Sequence, residues 1–243
     1  MRDPVINKTH ANLLEIRDIN TYYGNSHVLQ GCSLTVGKEC VAVLGRNGMG
    51  KTTLLRSIIG LTPPRNGTIR WKDQDISGKP PYNIANMGIG YVPQGRRLFP
   101  SLSVEEHLTL HYRKIEGANS WTPEKVFQLF PELADRRKIS GTQLSGGEQQ
   151  MLAIGRTLVT NPNIILLDEP TEGLSPVAVD RVIEICHELL KENISILLVE
   201  QNIYITEVLA NRIFIILSGK IVYESDTSDF IGNMDLRHKY LGV

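Results

Sequence analysis

One octapeptide limits this chain more than any other feature. Gly45-Arg46-Asn47-Gly48-Met49-Gly50-Lys51-Thr52 fits G-x-x-x-x-G-K-[ST]. It follows the apolar run Cys40-Val41-Ala42-Val43-Leu44 and precedes a helix expected from Lys51 to Ile59. At such a strand-to-helix turn, glycines let backbone amides close around phosphate oxygens that side chains would block. The helix adds its positive N-terminal end. Lys51 is expected to reach the β- and γ-phosphates of a nucleotide, with the Thr52 hydroxyl on Mg²⁺. The chain must therefore alternate strands and helices around a parallel sheet, an α/β fold.

The rest of the sequence fits that demand. Asn163 to Leu167 and Ser195 to Val199 read as continuous apolar strands, as expected where both sheet faces are covered. Between them Val179, Val182, Ile183, Cys186, Leu189 and Leu190 recur at helical spacing. Leu13 to Ile19, Val28 to Val36 and Thr68 to Trp71 read as shorter strands. They are separated by the turn signals Tyr23-Gly24-Asn25 and Arg65-Asn66-Gly67, which suggests an antiparallel patch. Ser103 to Thr160 has helical character and reads as an inserted lobe.

With 243 residues and 41% hydrophobic content, one compact body is expected. Lys plus Arg and Asp plus Glu both number 26, so the basic footprint of a nucleic-acid binder is absent. No stretch reaches the roughly 20 apolar residues of a bilayer span. The polar Met1 to Asn12 is not expected to act as a signal peptide. Cys32, Cys40 and Cys186 form no C-x-x-C pair and read as reduced, packed thiols.

Two further stretches carry chemistry. Ile164 to Leu167 ends in Asp168-Glu169, and acids at the carboxyl end of a parallel strand lie where ligands bind. Asp168 is expected to hold Mg²⁺ and Glu169 to orient or deprotonate the attacking water. In Leu144-Ser145-Gly146-Gly147-Glu148-Gln149-Gln150, a serine and two glycines before a helix form a second anion site. One phosphate loop is already complete, so this site is expected to face a nucleotide held by another subunit.

That heptad, lying between the two nucleotide motifs, resembles the signature of ABC (ATP-binding cassette) ATPases, and the resemblance spans nearly the whole chain. It implies a P-loop NTPase with a RecA-like parallel-sheet core, an antiparallel β subdomain and an inserted α-helical subdomain. The implied partition is core at 12–94 and 160–225, helical subdomain at 95–159 and helical tail at 226–243, all within one nucleotide-binding domain at 1–243. The nucleotide ligands implied are Tyr23, stacking on adenine for about 1–3 kcal/mol, the phosphate loop Gly45, Arg46, Asn47, Gly48, Met49, Gly50, Lys51, Thr52 and Thr53, and Ser145, Gly146, Gly147 and Glu148 toward the other subunit. Catalytic roles fall to Lys51, Gln94, Glu169 and Gln201. Mg²⁺ falls to Thr52, Gln94 and Asp168.

The segments GRNGMGKTT, VPQGRRLFP, LSGGEQQMLAIGR, DEPTEGL and LVEQN are similar to one subgroup. It comprises ATPase subunits of bacterial importers for branched-chain and other hydrophobic amino acids, with urea importers close by. The resemblance implies two membrane permease subunits, a second ATPase subunit paired head to tail, and a periplasmic binding protein. It also implies peripheral attachment at the cytoplasmic face of the inner membrane. Two positions depart from the wider family: Gln201 stands where a switch histidine is usual, and Ser175 where an aspartate is usual. A glutamine amide can hydrogen-bond a phosphate but lacks the charge available to histidine.

Other features carry less. His107 and His111 stand four apart on an expected helix but lack a third ligand, and read as helix-surface histidines. Arg96-Arg97 reads as a solvated turn or partner contact, and Leu98-Phe99-Pro100 as part of a docking groove for a membrane subunit. A ribosome-acting relative would carry two cassettes, and a chromosome-maintenance ATPase would carry long heptads, which are absent. A sensor without turnover has no use for Glu169. A transport ATPase is the expected function.

Overall fold

The computed structural model describes residues 12–115, 120–235 and 237. Two strands, β1 (Leu14–Tyr23) and β2 (Ser26–Val36), form a hairpin closed at Gly24, and β3 (Cys40–Leu44) leads through the phosphate loop into α1 (Lys51–Ile58). Next come β4 (Asn66–Trp71), β5 (Gln74–Asp75), α2 (Pro81–Asn86) and β6 (Ile89–Val92). A helical stretch follows: α3 (Val104–His111), α4 (Pro123–Leu129), α5 (Pro131–Ala134), a 3₁₀ turn and α6 (Gly146–Leu158). The chain then alternates β7 (Ile164–Asp168), α7 (Pro176–Lys191), β8 (Ser195–Glu200), α8 (Ile203–Leu209), β9 (Arg212–Leu217), β10 (Lys220–Asp226) and α9 (Thr227–Ile231).

Two sheets result. One is antiparallel in the order β2-β1-β4-β5. The other runs β10-β9-β3-β8-β7-β6 and is parallel except for β10. Successive strand side chains point to opposite faces. Cys40, Ala42 and Leu44 thus enter one core with Ile165, Leu167, Ile196 and Leu198, while Val41 and Val43 enter the other with Ile164, Leu166, Leu197 and Val199. The first core is filled by α6 and α7, the second by α1 and the antiparallel sheet. Burying Leu54, Leu55 and Ile58 of α1 stabilises its seat by about 1.5–3 kcal/mol each.

The same parity aims the site. Asp168 shares its face with Ile164 and Leu166, the face that α1 covers, and so meets Thr52 on that helix. The expected strands at 163–167 and 195–199 run one residue further, to Asp168 and Glu200, because the ladder pairs Asp168 with Val199. Asn66 and Gly67, read as turn residues, begin β4 through their pairing with β1. The four-residue β6 carried no expectation, being short and interrupted by Gly90. Cys32, Cys40 and Cys186 are buried free thiols, with burial pushing that of Cys32 up to about 12. The stretch up to residue 11 and residues 238–243 of the expected tail lie outside the described residues.

Candidate functional site

The phosphate loop is shaped by its glycines. Gly50, the N-cap of α1, has φ +105°, where a side chain would be strained. A Cβ on Gly45 would lie 2.7 Å from the Ile216 carbonyl oxygen. Lys51 folds back under the loop and is only 4% exposed. Its Nζ donates to the carbonyls of Gly45 and Arg46 at 2.7 and 3.2 Å and pairs with Glu169 Oε1 at 2.9 Å. The cation expected over the phosphates and the acid expected at the water thus face each other.

Asp168 and Glu169 close this cluster. Thr52 Oγ1 donates to Asp168 Oδ1 at 3.0 Å, and the Tyr91 hydroxyl donates to Asp168 Oδ2 at 2.8 Å. Burial raises the Asp168 carboxyl above its ordinary range, opposed by the bonds from Tyr91 and Thr52. Burial and then the Asp168 charge push the Tyr91 hydroxyl up, which keeps it a neutral donor. Glu169 sits at φ +47°, a left-handed backbone that non-glycine residues adopt at a cost of about 1–3 kcal/mol. The Gln94 amide donates to Glu169 Oε2 at 3.2 Å and to Glu172 Oε2 at 2.9 Å. The Thr52 and Asp168 oxygens lie 3.0 Å apart, a hard-oxygen pair of the kind that suits Mg²⁺ alongside phosphate oxygens.

Other expected ligands are spread around this cluster. Tyr23 ends β1 and is 43% exposed, leaving ring surface free to stack, while its hydroxyl accepts from Thr62 at 3.4 Å. Arg46 and Asn47 are exposed at the loop's tip. Gln201 is exposed, and among the described residues its side chain makes no hydrogen bond to Lys51, Asp168 or Glu169. Ser175 caps α7, accepting the Ala178 N–H. Ser145 caps α6: its Oγ accepts the Glu148 N–H at 3.3 Å and Glu148 Oε2 accepts the Ser145 N–H at 2.8 Å. Ser145 and Gly146 are exposed, and among the described residues no hydrogen bond joins this helix start to the phosphate loop.

The structure corrects the histidine reading. His107 is fully buried rather than on the helix surface. Its Nδ1 bonds the Ser103 carbonyl at 2.8 Å, and its Nε2 accepts the Phe99 N–H at 2.9 Å. That pattern requires a neutral ring protonated at Nδ1, and burial accordingly lowers its pKa. His111 stacks on Phe99 at 6.2 Å. Among the described residues no group of three His, Cys, Asp or Glu side chains suits a metal.

Sequence reasoning also missed Arg156. Its guanidinium donates to the Arg97 and Arg96 carbonyls at 3.0 and 3.2 Å. Those residues and Gly95 form three consecutive left-handed positions, so a strained turn links Gln94 to Phe99 and is clamped from α6. Beside it opens a cavity of about 560 Å³ whose walls include Arg56, Tyr91, Gln94, Phe99 and Arg156.

A G-x-x-x-x-G-K-T loop, an acidic pair at the end of a neighbouring strand and an exposed, serine-capped helix start on one two-sheet body fit an ATP-binding cassette. The chain belongs to the ABC transporter family, whose sequence model matches residues 29–172, and it is an ATPase of that family. It is 38% identical over 232 residues to the high-affinity branched-chain amino acid transport ATP-binding protein of Pseudomonas aeruginosa, covering 95% of this chain and 100% of that one. It is 33% identical to the lipopolysaccharide export system ATP-binding protein of Haemophilus influenzae, covering 95% and 98%. A solved ATP-binding cassette of an ABC transporter superposes with a TM-score of 0.82 at 26% identity, covering 94% of this chain and 97% of that chain.

Proposed function

We propose that the chain binds Mg²⁺-ATP and hydrolyses it to energise import of branched-chain or other hydrophobic amino acids. The observation that carries the hydrolytic reading is the cluster of Lys51, Thr52, Gln94, Asp168 and Glu169, joined by bonds of 2.9–3.2 Å. Lys51 neutralises the β- and γ-phosphates, the loop amides from Gly45 to Thr53 hold their oxygens, and Tyr23 stacks on adenine. Thr52, Asp168 and Gln94 hold Mg²⁺, which supplies charge neutralisation at the transferred phosphate. Glu169 orients and deprotonates the attacking water.

Ser145, Gly146, Gly147 and Glu148 serve the nucleotide of a second ATPase subunit, docked head to tail. The exposure of Ser145 and Gly146, and the lack of bonds from this helix start to the chain's own phosphate loop among the described residues, support that reading. Two membrane permease subunits dock at the cavity beside Phe99, where Gln94 senses them, and a solute-binding protein delivers cargo. Among the described residues no helix is long and apolar enough to cross a membrane. Attachment to the cytoplasmic face of the membrane therefore falls to those partners.

The amino-acid reading rests on the 38% identical relative; urea import is the alternative, and the likeness to lipopolysaccharide-export ATPases supplies a rival outcome. The test is reconstitution with the permeases and binding protein encoded beside it, measuring ATP-driven uptake of labelled leucine, valine and urea. Uptake of leucine or valine supports the proposal. Urea uptake alone, or ATP turnover stimulated only by lipopolysaccharide, overturns it.

A further inference from the structure

Three loops of the site converge on Glu200, a residue given no role so far. It ends β8 and is 3% exposed. Its backbone carbonyl accepts the N–H of Gly45, the first residue of the phosphate loop, at 3.3 Å. Its Oε1 accepts the N–H and the hydroxyl of Thr171 at 3.2 and 2.6 Å. Its Oε2 accepts the N–H groups of Gln201 and Asn202 at 3.0 and 3.1 Å. Thr171 lies two residues beyond Glu169, and Asn202, next to the switch position Gln201, caps α8.

Every donor in this set is neutral. A buried carboxylate held without a cation is stable only when its lone pairs are filled, and here each oxygen takes two donors. An apolar residue would leave four donors unsatisfied. The carboxylate therefore ties the acid-bearing loop to the switch loop, and its own backbone ties both to the phosphate loop.

We propose that Glu200 is a positioning residue for hydrolysis, holding Glu169 and Gln201 in register with the phosphate loop without touching nucleotide. The proposal rests on the role given to Glu169 above. Glu200→Gln keeps the shape, but its amide oxygen stays on the Gln201 and Asn202 N–H groups and its NH₂ turns to Thr171, whose hydroxyl can accept but whose N–H cannot, so the acid-bearing loop loses its anchor. In the assembled transporter kcat falls about 10- to 100-fold, while KM for ATP stays within about twofold. Thr171→Val removes only the shortest bond and gives a smaller fall with the same split. The double variant is no slower than Glu200→Gln alone, because both act through one contact.

Three results overturn the proposal: wild-type kcat in Glu200→Gln, ATP affinity lost in step with kcat, or additive effects in the double variant. The last two describe a merely structural acid. Where Glu200→Gln does not fold, the kcat–KM split of Thr171→Val decides. Glu169→Gln is measured alongside, and wild-type turnover there sinks the role of Glu169 independently of how the Glu200 variants behave.

Discussion

The phosphate-loop side and the signature-helix side of this chain are built on opposite plans. Around Lys51 the polar groups are buried and bonded across the fold, with Lys51 reaching Glu169 and Thr52 and Tyr91 reaching Asp168. At Ser145 the bonds are mostly local, a capping box within four residues plus the Arg136–Glu148 ion pair, and Ser145 and Gly146 stay exposed. The first is a site finished within the chain. The second leaves exposed backbone at a helix start, as the proposed two-subunit nucleotide site requires.

The sharpest break of that comparison comes from Lys51→Ala. It removes the cation and strands a nearly buried Glu169, so loss of measurable ATP binding by the isolated chain is expected. Nucleotide titration with Mg²⁺ giving wild-type affinity would refute the phosphate-loop assignment. Glu169→Gln comes next: ATP is still bound, and hydrolysis falls by about 10²–10⁴-fold as water activation is lost. A nucleotide-bound dimer is expected to accumulate in gel filtration, and single-turnover assays report the loss.

Ser145→Ala tests the other plan. Helix α6 loses about 1 kcal/mol of capping, ATP binding to the isolated chain is unchanged, and hydrolysis by the assembled pair drops. Loss of binding in the isolated chain would mean that the helix start serves its own loop. Gln201 is expected to matter less: losing one positioned donor can cost about 2.7–4 kcal/mol, but the glutamine that replaces a histidine keeps a donor, so the deficit against histidine is smaller. Gln201→Ala should slow turnover in the complex and Gln201→His should raise it, if the two nucleotide sites are unequal. Equal rates for both variants and wild type would make Gln201 a bystander.

The smallest effect concerns His107, which bridges the helical stretch to the groove at Phe99. Its folded pKa is lowered by burial, so the neutral ring stabilises the fold fully above its ordinary value near 6.5. That contribution is lost as pH falls through the lowered folded value. Denaturant titrations should show stability rising with pH across that window, and His107→Gln should flatten the rise. An unchanged slope would detach His107 from the groove's stability.

What the linear chain determined was the chemistry held in contiguous stretches. Gly45 to Thr52 and Asp168-Glu169 work through spacing within a single turn, so their pattern is complete without the fold. The apolar runs of β3, β7 and β8 likewise announced buried parallel strands, and the run Ser145 to Glu148 announced a capped helix. Only the tertiary structure decided which distant groups complete them. Tyr91 meets Asp168 across 77 positions, Arg156 holds carbonyls 59 and 60 positions away, and Glu200 meets Thr171 across 29. The Tyr91 and Glu200 contacts depend on strand order, which sets β6 beside β7 and β7 beside β8, and the Arg156 contact on the packing of α6 against the turn after β6. A tyrosine, an arginine or a glutamate has no spacing signal for a partner on a distant segment, so its role emerges only when the fold brings the two together.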